Sequence, residues 1–173
     1  MNMQHRKVML SVLFAVGLMT AGAVDLGAFV KRVTLIARSS TVLPVGTVIR
    51  DYQVPVRLST DIDGFSWEDF RKADFSDIAV TDRCGNALPF EPERDSDGHP
   101  SVIWVRIPEL RPGTAICVYY GSSSESAESD PAAVWAGYRG VWHMSESSGS
   151  ANDSTANALH AVPTAFTGGD VSL

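Results

Sequence analysis

The stretch SVIWVRI, residues 101–107, decides the fold class, because its side chains alternate between two chemical kinds. Branched apolar residues occupy positions 103, 105 and 107, whereas Trp104 and Arg106 lie between them. Successive side chains of a β-strand point to opposite faces, so this period of two predicts a strand with its aliphatic face on a core. Pro108 comes next and is predicted to end the strand, because proline lacks a backbone N–H.

Similar apolar runs occur on both sides of this strand, with turn residues between them. Further strands are predicted at residues 29–36, 47–58, 77–81, 87–91, 114–120 and 140–144. Pro55 places the second of these at a sheet edge or at a bulge, and the turn at 82–86 predicts a hairpin between 77–81 and 87–91. A short helical piece at 66–70 would be capped by Ser66. The chain is therefore predicted to be all-β, with a β-sandwich or jelly-roll-like domain.

The first 23 residues have the three-part layout of a secretory signal peptide. Met1–Lys7 is polar with two positive charges, and Val8–Ala23 is almost wholly apolar and ends in Ala-Gly-Ala. This apolar run is about 16 residues long, shorter than the roughly 20 that span a bilayer. We expect cleavage near Ala23, with an uncleaved anchor as the alternative. In either case the rest of the chain is exported, to the periplasm, the cell surface or the medium.

The charge balance excludes several classes of partner. The net charge of the 173-residue chain is -6, from 14 basic and 20 acidic residues. Loss of residues 1–23 removes Arg6 and Lys7 and no acid, which leaves 12 basic residues and a net charge of -8. Nucleic-acid binders need a basic surface that replaces counterions, so no nucleic-acid partner is expected. Membrane contact is expected only through the signal segment or through regions downstream.

The chain contains two cysteines, Cys84 and Cys117. An exported protein lies in an oxidising compartment, so the pair is a candidate disulfide. The alternative is that Cys117 is a small buried strand residue and Cys84 a turn residue, because a bridge requires the two Cα atoms to lie within about 7 Å.

Changes in composition divide the chain into four parts. A signal peptide at 1–23 precedes a β-sandwich domain at 24–121, and the serine-rich stretch 122–139 is typical of a linker. Residues 140–173 start a new strand pattern. About 35 residues cannot bury enough surface to fold alone, so we expect them to be the first strands of an incomplete second β-sandwich.

Five stretches resemble the bacterial secreted family known as domain of unknown function 2341, over roughly residues 30–121. They are Tyr52–Leu58, Asp74–Asp82, Leu88–Glu91, Val102–Pro108 and Val118–Gly121. The resemblance implies a fold and an exported location, and it brings no catalytic residues.

Residues Gly140–Met144 and Asp153–Asn157 are similar to the opening of a concanavalin A-like (laminin G-like) sandwich. Both modules are familiar in large exported bacterial proteins, including surface adhesins and the extracytoplasmic heads of proton-channel-type energy-transducing complexes. The second resemblance implies a lectin-like role.

Two Asp-x-Asp-Gly turns are candidate calcium sites, one with Asp61 and Asp63 and the other with Asp95 and Asp97. Calcium takes six to eight oxygen ligands, and neither turn supplies the full loop pattern. Asp and Gly are also ordinary turn residues, so we expect plain turns and no cofactor, with calcium as the alternative.

Aromatic residues are the remaining candidates for ligand contact. Trp104 shares a strand face with Arg106, and this pair is a candidate ligand surface if the face is open; packing in a core or between domains is the alternative. No serine lies in a Gly-x-Ser-x-Gly motif, and no phosphate-binding or dinucleotide motif is present. Catalytic residues are therefore not expected.

These observations favour an exported, non-catalytic binding or spacer module, which acts in surface adhesion or recognises a polysaccharide or cell-surface glycan. One alternative is the periplasmic head of a proton-channel-type energy-transducing complex. The other is a module appended to a glycoside hydrolase, whose catalytic carboxylate pair would lie elsewhere.

Overall fold

Two antiparallel three-stranded sheets make up the regular structure of the protein, in a computed structural model that describes residues 24–38, 44 and 46–163. The all-β, sandwich-like prediction is confirmed. The predicted signal peptide, residues 1–23, and the last ten residues lie outside the described residues. Within the described ranges, no helix combines the length and hydrophobicity needed to cross a bilayer.

Within the described residues, six strands and one short α-helix follow each other along the chain. They are β1 Lys31–Ile36, β2 Ile49–Arg57, β3 Ile78–Asp82, β4 Phe90–Glu93, β5 Val102–Leu110, β6 Ala115–Tyr120 and α1 Pro131–Val134. Sheet A has the order β1-β6-β3, and sheet B has the order β2-β5-β4. The predicted helical piece is a 3-10 turn at Trp67–Asp69, and the Ser66 side chain caps it by accepting from the Glu68 N–H.

The core lies between the two sheets. Ile103 and Val105 of β5 are fully buried, and they face the fully buried Val118 of β6 across the sandwich. The alternation predicted for residues 101–107 is thus confirmed, because every second side chain of β5 enters the core. Tyr120, at the end of β6, packs its ring against Phe70 at 5.1 Å.

Pro55 and Pro108, two of the three prolines in the strands of sheet B, occupy positions where no ladder hydrogen bond is lost. The prediction of an edge strand for Pro55 is confirmed, because β2 is an outer strand of sheet B. The prediction that Pro108 ends its strand is wrong, because β5 continues to Leu110. The Arg106 N–H donates to Pro89 O beside β4, and by alternation Pro108 faces the same side. The β4 ladder ends opposite Val105, so Pro108 has no partner to lose.

The predicted hairpin between 77–81 and 87–91 forms only beside its turn, where the Asp82 N–H donates to Asn86 O and the Leu88 N–H donates to Val80 O. The turn at 82–86 forms, with the Asp82 carboxylate accepting the N–H groups of Cys84 and Asn86. Only Thr81 and Ala87 then form a bridge, and the chain crosses to the other sheet, where β4 pairs with β5. Leu88 and Phe90 are buried in the core between the sheets, so the apolar contacts outweigh continued pairing with β3.

Residues 122–163 contain little regular structure but pack against both sheets. The Ala127 N–H donates to Ile78 O of β3 in sheet A, and the Asp130 N–H donates to Phe90 O of β4 in sheet B. Gly140–Met144, predicted as a strand, forms only the single bridge between Trp142 and Asp153. In the serine-rich stretch 122–139, Ser122 is buried and Val134 of α1 is fully buried. The irregular segment is therefore held by side chains rather than by a sheet ladder.

Asp77 shows how a buried carboxylate holds these loops. Its side chain is fully buried and accepts backbone N–H groups from Arg71 at 2.8 Å and Lys72 at 3.4 Å. It also accepts from Gly121 at 3.0 Å and from Ser122 at 3.1 Å. Four donors compensate for the loss of hydration of the charge. One carboxylate thereby ties the loop before β3 to the end of β6.

Substitution Asp77→Ala should destabilise the protein by at least about 3 kcal/mol, because it leaves four N–H groups without their acceptor. Denaturant unfolding followed by tryptophan fluorescence measures the change. Asp63→Ala, at an exposed turn position, is the matched control and should cost no more than about 0.5 kcal/mol. Equal effects of the two substitutions would contradict the role assigned to Asp77.

Candidate functional site

The outer face of sheet B is covered by α1 and the residues that follow it. Trp135 is 6% exposed and packs its ring 5.2 Å from that of Trp104. The Gln53 side chain of β2 is buried there and donates to Val134 O. The Tyr138 hydroxyl donates to Gln53 Oε1 at 3.0 Å. The polar side chains on this face therefore bond to the covering segment.

The candidate ligand pair Trp104 and Arg106 lies under this cover. Trp104 Nε1 donates to Glu93 Oε2 at 2.9 Å. Arg106 donates to the Asp51 carboxylate at 2.8 Å and to Ala133 O at 3.2 Å. The open face required for a ligand surface is not found, and the packing alternative describes the pair, because α1 and Trp135 occupy the space that a ligand would need.

A group of five side chains, which we call the Glu91 cluster, joins the covering segment to β4. Its members are Glu91, Glu93, Trp135, His143 and Ser154. Glu91 is 9% exposed, and its Oε2 accepts from Trp135 Nε1 at 2.5 Å and lies 3.1 Å from His143 Nε2. Its Oε1 accepts from Ser154 Oγ at 2.7 Å. The second His143 nitrogen lies 3.6 Å from Glu93 Oε2, so the imidazole stands between two carboxylates.

The Glu91 cluster contains a serine, a histidine and a carboxylate, the residue types of a hydrolytic triad. In such a triad the imidazole lies between the hydroxyl and the acid. Here Glu91 occupies the middle position, and Ser154 donates to a carboxylate instead of to His143. The contacts therefore fix the covering segment in place and do not build a base-to-nucleophile pair.

Asp153 holds the next part of the segment. Its carboxylate accepts the backbone N–H groups of Val141, Thr155 and Leu159, and the Thr155 hydroxyl. Burial opposes its ionisation, but these hydrogen bonds outweigh burial and hold the pKa of Asp153 well below its ordinary value of 3.8. Asn157 adds two bonds to the carbonyls of Tyr138 and Arg139. Residues 138–160 thus form a defined unit without a sheet.

Five large apolar side chains between residues 138 and 162 are exposed, namely Tyr138, Trp142, Met144, Leu159 and Val162. The Trp142 Nε1 donates to Leu159 O at 2.9 Å, which fixes the ring. The ring lies over Gly140, where an added Cβ would come within 2.3 Å of it. Trp142 is therefore held in one orientation although it is 40% exposed.

The candidate calcium residues form turns. Asp95 Oδ1 accepts the N–H groups of Asp97 and His99, and ligand atoms of these three residues lie within 4.8 Å of one another. His99 also stacks on Trp67 at 4.5 Å. In the other turn, Asp61 Oδ2 accepts from Ser59 Oγ. The Asp95 contacts are those of an Asx turn, and the Asp61 N–H donates to Ser59 Oγ as in an ST turn. Calcium binding stays a prediction.

The candidate disulfide is not formed, because both cysteines are free thiols. Cys117 is buried in the central strand of sheet A, where it pairs with Thr34 and Thr81 on its two sides. Its sulfur lies 3.7 Å from Thr34 Oγ1. Cys84 is exposed in the turn after β3. The alternative of a buried strand residue and a turn residue describes the two positions.

Glu91→Ala should loosen residues 140–163 by removing the shared acceptor of Trp135, His143 and Ser154. The expected loss is about 3 kcal/mol for that segment. Hydrogen exchange should accelerate at the amides of Val141 and Ala161 and stay slow in β5. Glu68→Ala is the control, because it removes an exposed carboxylate that lies outside the Glu91 cluster. Unchanged exchange at Val141 in Glu91→Ala would contradict the anchoring role.

The low pKa of Asp153 predicts an acid-sensitive contribution to stability. A carboxyl group whose pKa is lowered by folding stabilises the folded state above its unfolded pKa, near 3.8. That stabilisation is lost as the pH falls further. The free energy of unfolding of the natural protein should therefore exceed that of Asp153→Asn at pH 5, and the gap should narrow from pH 3.8 to pH 2. A constant gap would refute the prediction, since other carboxylates affect both proteins alike.

A scan of protein families identifies residues 74–157 with the model described as domain of unknown function (DUF2341). No curated protein and no solved structure matches the chain. The matched span takes in β3 to β6, the Glu91 cluster and Asp153, and it crosses the boundary predicted at residue 140. The concanavalin A-like resemblance stays a prediction. The part of the chain that contains Glu91 and Asp153 is thus similar to the domain of unknown function DUF2341.

Proposed function

We propose that this protein is an exported, non-catalytic binding module that recognises glycans, with Trp142 as the contact. The export signal at residues 1–23 supports a location where glycans are exposed. The observation that carries the proposal is the exposed ring of Trp142, which its bond to Leu159 O fixes. Tryptophan is enriched at binding surfaces, where one side of the ring packs and the other stays accessible.

The geometry of Trp142 suits stacking against a sugar ring. One side of the indole rests over Gly140, a residue with no side chain to tilt it. The bond from Nε1 to Leu159 O holds its edge. A rigid aromatic platform loses little side-chain entropy on binding, because its rotamer is already fixed. The carboxylates of Glu91 and Asp153 hold the segment beneath it, so the platform is preorganised.

Retention of the secreted protein on immobilised polysaccharides tests the proposal. The panel should include neutral, acidic and amino-sugar polymers, and retention is expected on at least one class. Trp142→Ala should weaken the affinity for that polymer at least about tenfold, as removal of a central aromatic contact does. Tyr52→Ala is the matched control, because it removes an equally exposed aromatic ring from β2.

The control substitution should leave the affinity unchanged. Circular dichroism and the midpoint of thermal unfolding of both variants distinguish a lost contact from a lost fold. The proposal fails if no polymer retains the protein, or if Trp142→Ala binds as tightly as the natural chain.

A further inference from the structure

Each sheet has two outer strands, and three of these four strands have blocked edges. The outer side of β3 bonds to residues 86–88 and to Ala127. On β4, Phe90 O accepts from the Asp130 N–H. On β2, Pro55 interrupts the row of donors on the side away from β5. Covering an edge and placing a proline on it are two ways in which proteins prevent the pairing of a further strand.

The fourth outer strand, β1, has an edge without such protection. The Ala37 N–H donates to Thr114 O at 2.8 Å, so Ala37 faces β6. The residues of an antiparallel strand face a given neighbour alternately, and Arg32, Thr34 and Ile36 therefore direct their N–H and C=O groups away from β6. Among the described residues, no partner is found for these backbone groups. We call these three residues the β1 edge.

The side chains of the β1 edge are accessible and carry one positive charge. Arg32, Thr34 and Ile36 are exposed, whereas the alternate side chains of β1 are half-buried. The exposed fraction of Ile36 is 49%. The Arg32 guanidinium lies 5.9 Å from the centre of the Tyr119 ring, and within the described ranges it forms no ion pair with an acidic side chain. Charge complementarity therefore favours an acidic partner.

A second copy of this chain fits the β1 edge poorly. Antiparallel pairing of two such edges about Thr34 would place Arg32 diagonally beside the exposed Arg38 of the other copy. Shifting the pairing by two residues in either direction brings two arginines at least as close. Like charges on neighbouring strands are destabilising, so the edge suits a different protein better than it suits itself.

We propose that the β1 edge binds an extended segment of a partner protein, which adds to sheet A as an antiparallel strand and carries an acidic residue opposite Arg32. Backbone hydrogen bonds to the three residues of the edge supply affinity, and the charge pair supplies specificity. In an antiparallel partner, the residue opposite Ile36 comes four positions before the acidic one, and an apolar side chain there covers Ile36. The edge contains no residue of the segment around Trp142, so the glycan proposal can fail without affecting it.

Hydrogen exchange of the secreted protein alone is the first test. The amides of Arg32, Thr34 and Ile36 should exchange fast, and those of Val33 and Leu35 slowly, because only the latter two face β6. Slow exchange at all five amides would mean that the edge is already covered, and would overturn the proposal.

A capped heptapeptide of threonine, with valine at its second position and glutamate at its sixth, is the probe for binding. It is added to the ¹⁵N-labelled secreted protein, and the amide resonances are followed by NMR. We expect the amides of Arg32, Thr34 and Ile36 to shift, because they gain acceptors. N-methylation of the second, fourth and sixth peptide residues should abolish binding, because it removes the N–H groups that would face the β1 edge.

The charge pair is tested with a second peptide, which has lysine in place of the glutamate and should bind about threefold or more weakly. Arg32→Glu should reverse the preference between the two peptides. Arg57→Glu is the matched control, because it makes the same change at an exposed position of β2, the outer strand of the other sheet. This control should keep the original preference.

The proposal is overturned if the glutamate peptide does not bind, if it binds without shifts at the β1 edge, or if Arg32→Glu and Arg57→Glu have the same preference. Shifts at the β1 edge that grow with protein concentration in the absence of peptide would assign the edge to a second copy of this chain, and would also overturn it.

Discussion

Buried carboxylates that accept several N–H groups at once are the constraint on which the irregular half of this structure depends. Asp77 gathers four backbone donors, Glu91 gathers three side chains, and Asp153 gathers three backbone donors and a hydroxyl. Burying a charge is costly unless hydrogen bonds replace its hydration. Each of the three carboxylates therefore needs all of its donors to remain buried. Removing one acceptor leaves several donors unsatisfied together, which makes the loops around each carboxylate behave as a unit.

The sequence predicted the strands better than their partners. The alternation at 101–107 located β5, because a period of two reports burial of one face directly. It did not report that Leu88 and Phe90 would draw the chain into the other sheet after a single bridge, because that choice depends on contacts with β5 far along the chain. The prediction that Pro108 ends its strand failed for a similar reason. The missing N–H of proline interrupts a strand only where a neighbouring strand would accept a hydrogen bond from it.

The candidate site was harder to predict from sequence. Trp104 and Arg106 were a candidate ligand surface only if their strand face was open, with packing as the alternative, and a segment about 30 residues later covers that face. Glu91 was missed, because an acid that alternates with buried Phe90 has the pattern of a solvent-facing residue. Its neighbours His143 and Ser154 come from the covering segment. A local signal was present only in the run Asp153–Asn157, which was noted for its resemblance to a concanavalin A-like sandwich. In the structure, Asp153 of this run is a buried hydrogen-bond acceptor.

The antiparallel pairing of β1 with β6 has a mechanical consequence. Lys31 lies opposite Tyr120, so the chain enters β1 and leaves β6 at the same end of the sheet, about 5 Å apart. A pulling force applied between Lys31 and Tyr120 would separate the six residue pairs one after another, starting at this end. It would not load all six pairs at the same time, as a shearing force would. In a chain pulled at these two points, this sheet would therefore unfold at low force and would add little length while it stays folded.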